Sequence, residues 1–69
     1  MTVKIKEDYI KLDSLLKLAN TVSSGGEAKM LIQNGKISVN GEVCLMRGKK
    51  IREGDIVVFE DTEITVTKI

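Results

Sequence analysis

The sequence predicts an α+β domain, with two main helices packed on one side of a small, mostly antiparallel sheet. Three observations lead there. The chain opens on a short alternation of apolar and polar residues. Two later segments place apolar residues three and four apart, the spacing of one helix face. From Ile37 onward, short β-branched runs alternate with tight-turn residues, the pattern of strands joined by hairpins. No proline interrupts any element, and no internal repeat, low-complexity stretch or linker divides the chain.

Residues 2–6 alternate, with Val3 and Ile5 on one side, and predict a short strand. Over residues 12–20, Leu12, Leu15, Leu16 and Ala19 form a helix stripe, and Asp13 suits the positive N-terminal end of the helix dipole. That helix is short, so packing rather than propensity must hold it. Ser24-Gly25-Gly26-Glu27 has the form of a capping box: the serine hydroxyl accepts from the N–H three residues on, and the glutamate reaches back. A second helix starts there, buries Ala28, Leu31 and Ile32, and ends at Gly35, which is placed for a left-handed cap. On another side of it, Lys29, Gln33 and Lys36 follow at i, i+4 and i+7 and make one polar row.

Ile37-Ser38-Val39 runs into Asn40-Gly41, a strong two-residue hairpin signal because a type I′ turn needs positive φ at both central positions. Residues 42–45 return antiparallel. Arg47-Gly48-Lys49-Lys50 makes a basic loop, Ile51 resumes extended structure, and Glu53-Gly54-Asp55 turns the chain. Ile56-Val57-Val58-Phe59 reads as a buried strand, a turn around Asp61-Thr62 follows, and residues 63–69 form the last strand. Tyr9 and Phe59, the two aromatic residues, are assigned to the core.

At 69 residues the chain is expected to be one domain, 1–69, and a monomer. A chain this short buries only about 60% of the surface its unfolded form exposes, so a deep pocket is not expected. The 42% apolar and 30% charged composition is that of an ordinary soluble protein. No apolar stretch is long enough for a signal peptide or membrane span, so the expectation is a cytoplasmic protein with no membrane partner. The single cysteine, Cys44, cannot form an internal disulfide and sits in a strand-like run, where it reads as a small half-buried hydrophobe. Histidine is absent, which removes the commonest acid–base catalyst near neutral pH and the commonest metal ligand. No catalytic residue, no metal site and no cofactor is expected.

The net charge of +1 conceals segregation. Residues 28–52 hold six bases (Lys29, Lys36, Arg47, Lys49, Lys50 and Arg52) against one acid, Glu42. Residues 53–69 hold one base against five acids, and residues 1–27 are balanced. Such segregation gives one face a strong positive potential.

The central run Ala28-x-x-Leu31-Ile32-x-x-Gly35-x-Ile37-x-Val39-Asn40-Gly41, with Leu12-Asp13, Leu16 and Ser24 before it and Gly54-Asp55-Ile56 after it, resembles the RNA-binding domain named after small-subunit ribosomal protein S-four, the alpha-L motif. The likeness covers residues 11–58. Within that family, Gly25-Gly26-Glu27-Ala28-Lys29 and the basic loop are similar to the stand-alone members of the YaaA and YbcJ type, which carry no catalytic domain. The resemblance implies binding of structured RNA, and of ribosomal RNA or the ribosome and its precursors in particular. Many members open their first helix on Arg-Leu-Asp and their second on Ser-Arg, with both arginines facing RNA. Here Lys11 keeps the first charge without the planar guanidinium fork. Gly25 stands where the second arginine would be, although a glycine pair at a helix start exposes backbone N–H groups to a phosphate.

The residues expected to bind RNA are therefore Lys11, Lys29, Gln33, Lys36, Asn40, Arg47, Lys49, Lys50 and Arg52. The cations would neutralise phosphates, while Gln33 and Asn40 would offer hydrogen bonds to sugar hydroxyls. RNA duplexes hide their bases in a deep, narrow groove, so such a surface reads shape, and two aromatic residues provide no platform for stacking a run of bases. The competing reading is a protein–protein adaptor docking through its acidic C-terminal strand, around Glu60 to Glu63. A ubiquitin-like sulfur carrier would need a terminal Gly-Gly, where this sequence has Thr67-Lys68-Ile69.

Overall fold

A computed structural model describes residues 1–69. In chain order the elements are β1 (Thr2–Ile5), β2 (Ile10–Lys11), α1 (Leu12–Leu18), α2 (Gly25–Gln33), β3 (Ile37–Val39), β4 (Glu42–Val43), β5 (Lys50–Ile51), β6 (Ile56–Phe59) and β7 (Thr62–Lys68). Five strands form one sheet in the order β1-β7-β6-β3-β4, and β2 and β5 form a separate two-stranded ladder. Every pairing is antiparallel except that of β1 with β7, so the α+β, mostly antiparallel arrangement is present.

Alternation decides which face of the sheet is covered. Val3, Ile5, Ile37, Val39, Val57, Ile64 and Val66 point inward, and Val39, Val57 and Ile64 are direct partners across three strands. Against them lie Leu12, Leu15, Leu16 and Ala19 of the first helical segment and Ala28 and Ile32 of the second, with Val22 and Ile51 completing one core of 15 residues. Leu31 and Phe59 are half-buried against it. No buried side chain is polar, so apolar transfer, about 1.5–3 kcal/mol for each fully buried leucine or isoleucine, is the main favourable term.

Both helices end in the same way. At α2, Gly35 has φ 74°, its N–H donates to the Ile32 carbonyl at 3.1 Å, and the Lys36 N–H donates to Leu31 at 3.0 Å. That paired pattern is the Schellman motif, at the glycine where the sequence predicts it. At α1 the same pair of bonds runs from Asn20 to Lys17 and from Thr21 to Leu16, both 3.0 Å, with Asn20 at φ 58°. The first helix therefore stops at Leu18 rather than at residue 20. Asparagine tolerates the left-handed region through its short polar side chain, a weaker signal than glycine.

The capping box forms with one shift. Ser24 Oγ accepts from the Glu27 N–H at 3.2 Å, but the Glu27 carboxylate accepts from the N–H of Ser23 at 2.7 Å, one residue before the cap. Asn40 and Gly41 both take positive φ, 52° and 88°, as a type I′ turn requires, and Val39 pairs with Glu42 across it. The last turn lies one residue earlier than the sequence suggests. Glu60 adopts φ 54°, and Thr62 already pairs with Phe59.

Candidate nucleic-acid interface

Of the basic segment expected as a loop, residues 47–49 are turn and irregular, and Lys50 already belongs to a strand. Lys50 and Ile51 pair with Lys11 and Ile10, placing Ile10 opposite Ile51 and Lys11 opposite Lys50. Ile51 is fully buried and anchors the ladder. The start of α1 has no side-chain cap at Lys11. Instead the Leu12 N–H donates to the Lys49 carbonyl at 2.9 Å and the Asp13 N–H to the Arg47 carbonyl at 3.1 Å, while the Ser14 N–H donates to the Asp13 carboxylate at 2.7 Å. Two of the four N–H groups that any helix leaves open at its start thus fix the basic segment in place, and a third is satisfied within the first turn.

Tyr9 corrects the expectation of a core residue. It is 36% exposed, with Lys50 Nζ 4.9 Å and the Arg52 guanidinium carbon 5.7 Å from its ring centroid. Period-two alternation explains why. In Tyr9-Ile10-Lys11 and Lys50-Ile51-Arg52 the isoleucines turn inward, so the outer residues share the opposite side. The ring face attracts both cations, at about 0.5–1 kcal/mol for an exposed site. An aromatic residue one position before Ile10-Lys11 was the available signal, and it is legible only once the pairing with Lys50-Ile51 is known.

A cleft of about 570 Å³ opens between the β3–β4 hairpin and this ladder, and its lining includes the cations Lys49, Lys50 and Arg52 together with the apolar Val43, Leu45 and Met46. Asn40 lines it too, but its amide is engaged twice. Oδ1 accepts from the Ile56 N–H at 2.9 Å and Nδ2 donates to the Asp55 carboxylate at 3.1 Å. The other Asp55 oxygen accepts from the Arg52 N–H at 2.8 Å. Asn40 therefore ties the hairpin turn to the start of β6, and one amide hydrogen and one lone pair remain for other partners. Cys44 is half-buried and unpaired, as expected.

Lys29, Gln33 and Lys36 are all exposed. Lys36 lies where α2 meets the hairpin, since Val43 Cγ1 stands 3.8 Å from the position a Cβ on Gly35 would occupy. Lys29 lies four residues before Gln33, the last residue of α2, about 6 Å along the helix axis. The structure thus groups Lys11, Arg47, Lys49, Lys50 and Arg52, with Asn40 at the cleft and Lys36 one residue after Gly35, whose backbone faces Val43. Lys29 and Gln33 share no hydrogen bond or ion pair with that group.

Electrostatically the group is unneutralised. The sole ion pair of the protein joins Lys68 to Asp8 at 2.7 Å, so none of the seven cations expected at the site has an acidic partner. The Lys68 hydrogen bond and charge hold the Asp8 carboxyl below its ordinary range, and Asp8 in turn raises Lys68. At the start of α2 a side chain on Gly25 would meet nothing within 4 Å, and the Glu27 carboxylate already occupies that end of the helix. The acidic residues Glu60, Asp61 and Glu63 are exposed on and after the last turn. No helix is long and apolar enough to cross a membrane.

Residues 3–67 match the family profile described as the S4 domain. A probable ribosome maturation protein, RlbA of Bacillus subtilis strain 168, is 38% identical over 58 residues, 84% of this chain and 82% of that protein. The putative RNA-binding protein YbcJ of Escherichia coli K12 is 34% identical over 61 residues, covering 88% of this chain and 87% of its own length. Its solution structure, described as an alpha-L motif involved in RNA binding, superposes with a TM-score of 0.74 at 33% identity, over 96% of this chain and 85% of that one. A crystal structure of a pseudouridylate synthase shares the fold, with a TM-score of 0.73 at 23% identity, but this chain spans only 24% of it.

Proposed function

Since the chain belongs to the S4 domain family, we propose that it is a non-catalytic RNA-binding protein that holds structured RNA, ribosomal RNA or a ribosome assembly intermediate, on its basic helix and hairpin face. The observation that carries this reading is the group Lys11, Arg47, Lys49, Lys50 and Arg52, fixed by the β2–β5 ladder and the start of α1 and left without acidic partners. Clustered, unpaired cations are what a phosphate backbone needs, because neutralising phosphates releases condensed counterions. Lys29, Gln33 and Lys36 extend the surface along α2, and the free capacity of Asn40 serves a sugar hydroxyl at its rim. The names of RlbA and YbcJ support a role in ribosome maturation and RNA binding, and a cytoplasmic location goes with them.

The test is a titration of the purified protein with fluorescently labelled fragments of ribosomal RNA and unrelated hairpins at several salt concentrations. Binding that weakens steeply with salt is expected. Affinity absent at low salt for every structured RNA would remove the proposal. In cells, crosslinking followed by sequencing of the attached RNA identifies the partner. A partner protein that survives nuclease treatment, and is lost when Glu60, Asp61 and Glu63 are neutralised, would instead favour the adaptor reading.

A further inference from the structure

We propose that the cleft beside the cations receives one unstacked nucleotide, extruded from a bulge or junction of the bound RNA, with its phosphates on Lys49, Lys50 and Arg52 and its base against Val43, Leu45 and Met46. The inference rests on the RNA-binding reading and deepens it. Val43, Leu45 and Met46 are 63%, 59% and 68% exposed, three large apolar side chains within four positions that the core leaves uncovered. Single exposed apolar residues are ordinary, but a contiguous set beside polar groups marks a binding surface.

Charge and apolarity together choose the occupant. A continuous RNA duplex presents phosphates and ribose and keeps its base faces stacked inside, so it would satisfy the lysines and offer nothing to the aliphatic wall. A nucleotide swung out of the stack offers both, an apolar base face and a phosphate held a short, fixed distance away. The cleft, about 570 Å³, falls within the roughly 300–1,000 Å³ of small-ligand sites, which fits one nucleotide rather than a strand. Its two acids do not bar an anion equally. Asp55 has both oxygens engaged, with Asn40 and with the Arg52 N–H, and only Glu42 is free. The remaining amide hydrogen and lone pair of Asn40 stand ready for the ribose hydroxyl of the same nucleotide. Because extruding a base is cheapest where it is already unpaired, the surface should favour irregular RNA over a perfect stem.

The experiment compares two RNA hairpins of identical stem, one carrying a single bulged 2-aminopurine, by fluorescence anisotropy and by the emission of that base. The unmodified protein should bind the bulged hairpin roughly tenfold tighter, the scale of one desolvated base contact, and should change the 2-aminopurine emission. The double variant Leu45→Ser, Met46→Ser, altered only at exposed positions, should keep its melting temperature and its affinity for the perfect stem but lose the preference. Equal affinity of the unmodified protein for both hairpins, or a preference that survives in the double variant, overturns the inference while leaving RNA binding intact. Absence of binding to either hairpin removes the RNA-binding reading along with it.

Discussion

Lys11 and Lys50 stand directly opposite each other in the β2–β5 ladder, two cations with no acid between them. Directly opposed residues bring their Cβ atoms to about 4.5–5.5 Å, and like charges there oppose folding. The inward packing of Ile51 holds the pair together against that repulsion. Replacing Lys11 with glutamine should raise stability by a few tenths of a kcal/mol up to about 1 kcal/mol and weaken RNA binding. Denaturant melts and RNA titrations read the two effects, and changes of the same sign would contradict the proposed role of the pair.

Tyr9 acts on the cations rather than on the core. Tyr9→Phe keeps a ring face for Lys50 and Arg52, whereas Tyr9→Leu removes it. The phenylalanine variant should bind RNA like the parent, and the leucine variant should lose roughly two- to fivefold in affinity, the loss of about 0.5–1 kcal/mol. Equal affinities for the two variants would show that the ring does not position the charges.

Lys49 and Lys50 should each hold a phosphate. Removing both side chains with Lys49→Ala, Lys50→Ala should weaken binding to unrelated structured RNAs alike. It should also flatten the dependence of log affinity on log salt by about 1.5–2 units, using the duplex-DNA value of about 0.9 per phosphate as a guide. An unchanged slope would take the segment out of the interface.

Ser24→Ala tests the fold separately from the site. Loss of the bond to the Glu27 N–H should cost about 1 kcal/mol of stability, seen as a lower melting temperature. The RNA salt slope should stay the same. A changed slope would place the start of α2 in contact with RNA.

The exposed pair of Asp8 and Lys68 gives stability a pH window. Asp8 is lowered in the folded protein from an ordinary 3.8, so its contribution is present above that value and is lost as pH falls through the folded one. Lys68 is raised from 10.5, so its contribution is present below 10.5 and is lost as pH rises through the folded value. The difference in melting temperature between the parent and Asp8→Asn should therefore be visible near neutrality and close at both extremes. Added salt should shrink it, because both side chains are exposed.

Local chemistry was legible in the sequence, and long-range pairing was not. Gly35 and Asn40-Gly41 announce a cap and a turn because few residues accept those backbone angles, and Leu12, Leu15, Leu16 and Ala19 announce a buried stripe through their spacing. Ile10 and Ile51 are 41 positions apart, and a two-residue strand has too little pattern to reveal its partner. With that ladder hidden, Tyr9 looked like a core aromatic and residues 47–50 like a free loop. The parallel pairing of β1 with β7 was hidden for a different reason, because alternation shows which face a strand buries and not which strand lies beside it. Asn40 showed its turn role and concealed that its amide also reaches Asp55 and Ile56.

The hydrogen bonds from Leu12 and Asp13 to the carbonyls of Lys49 and Arg47 make the proposed recognition surface impossible to transplant. A synthetic peptide copying residues 42–52 would own the same four cations yet none of their spacing, since what orders them is a helix encoded thirty-five residues upstream. By the same coupling, any change that frays the first turn of that helix would act on recognition from the inside, without touching a single residue that meets the ligand.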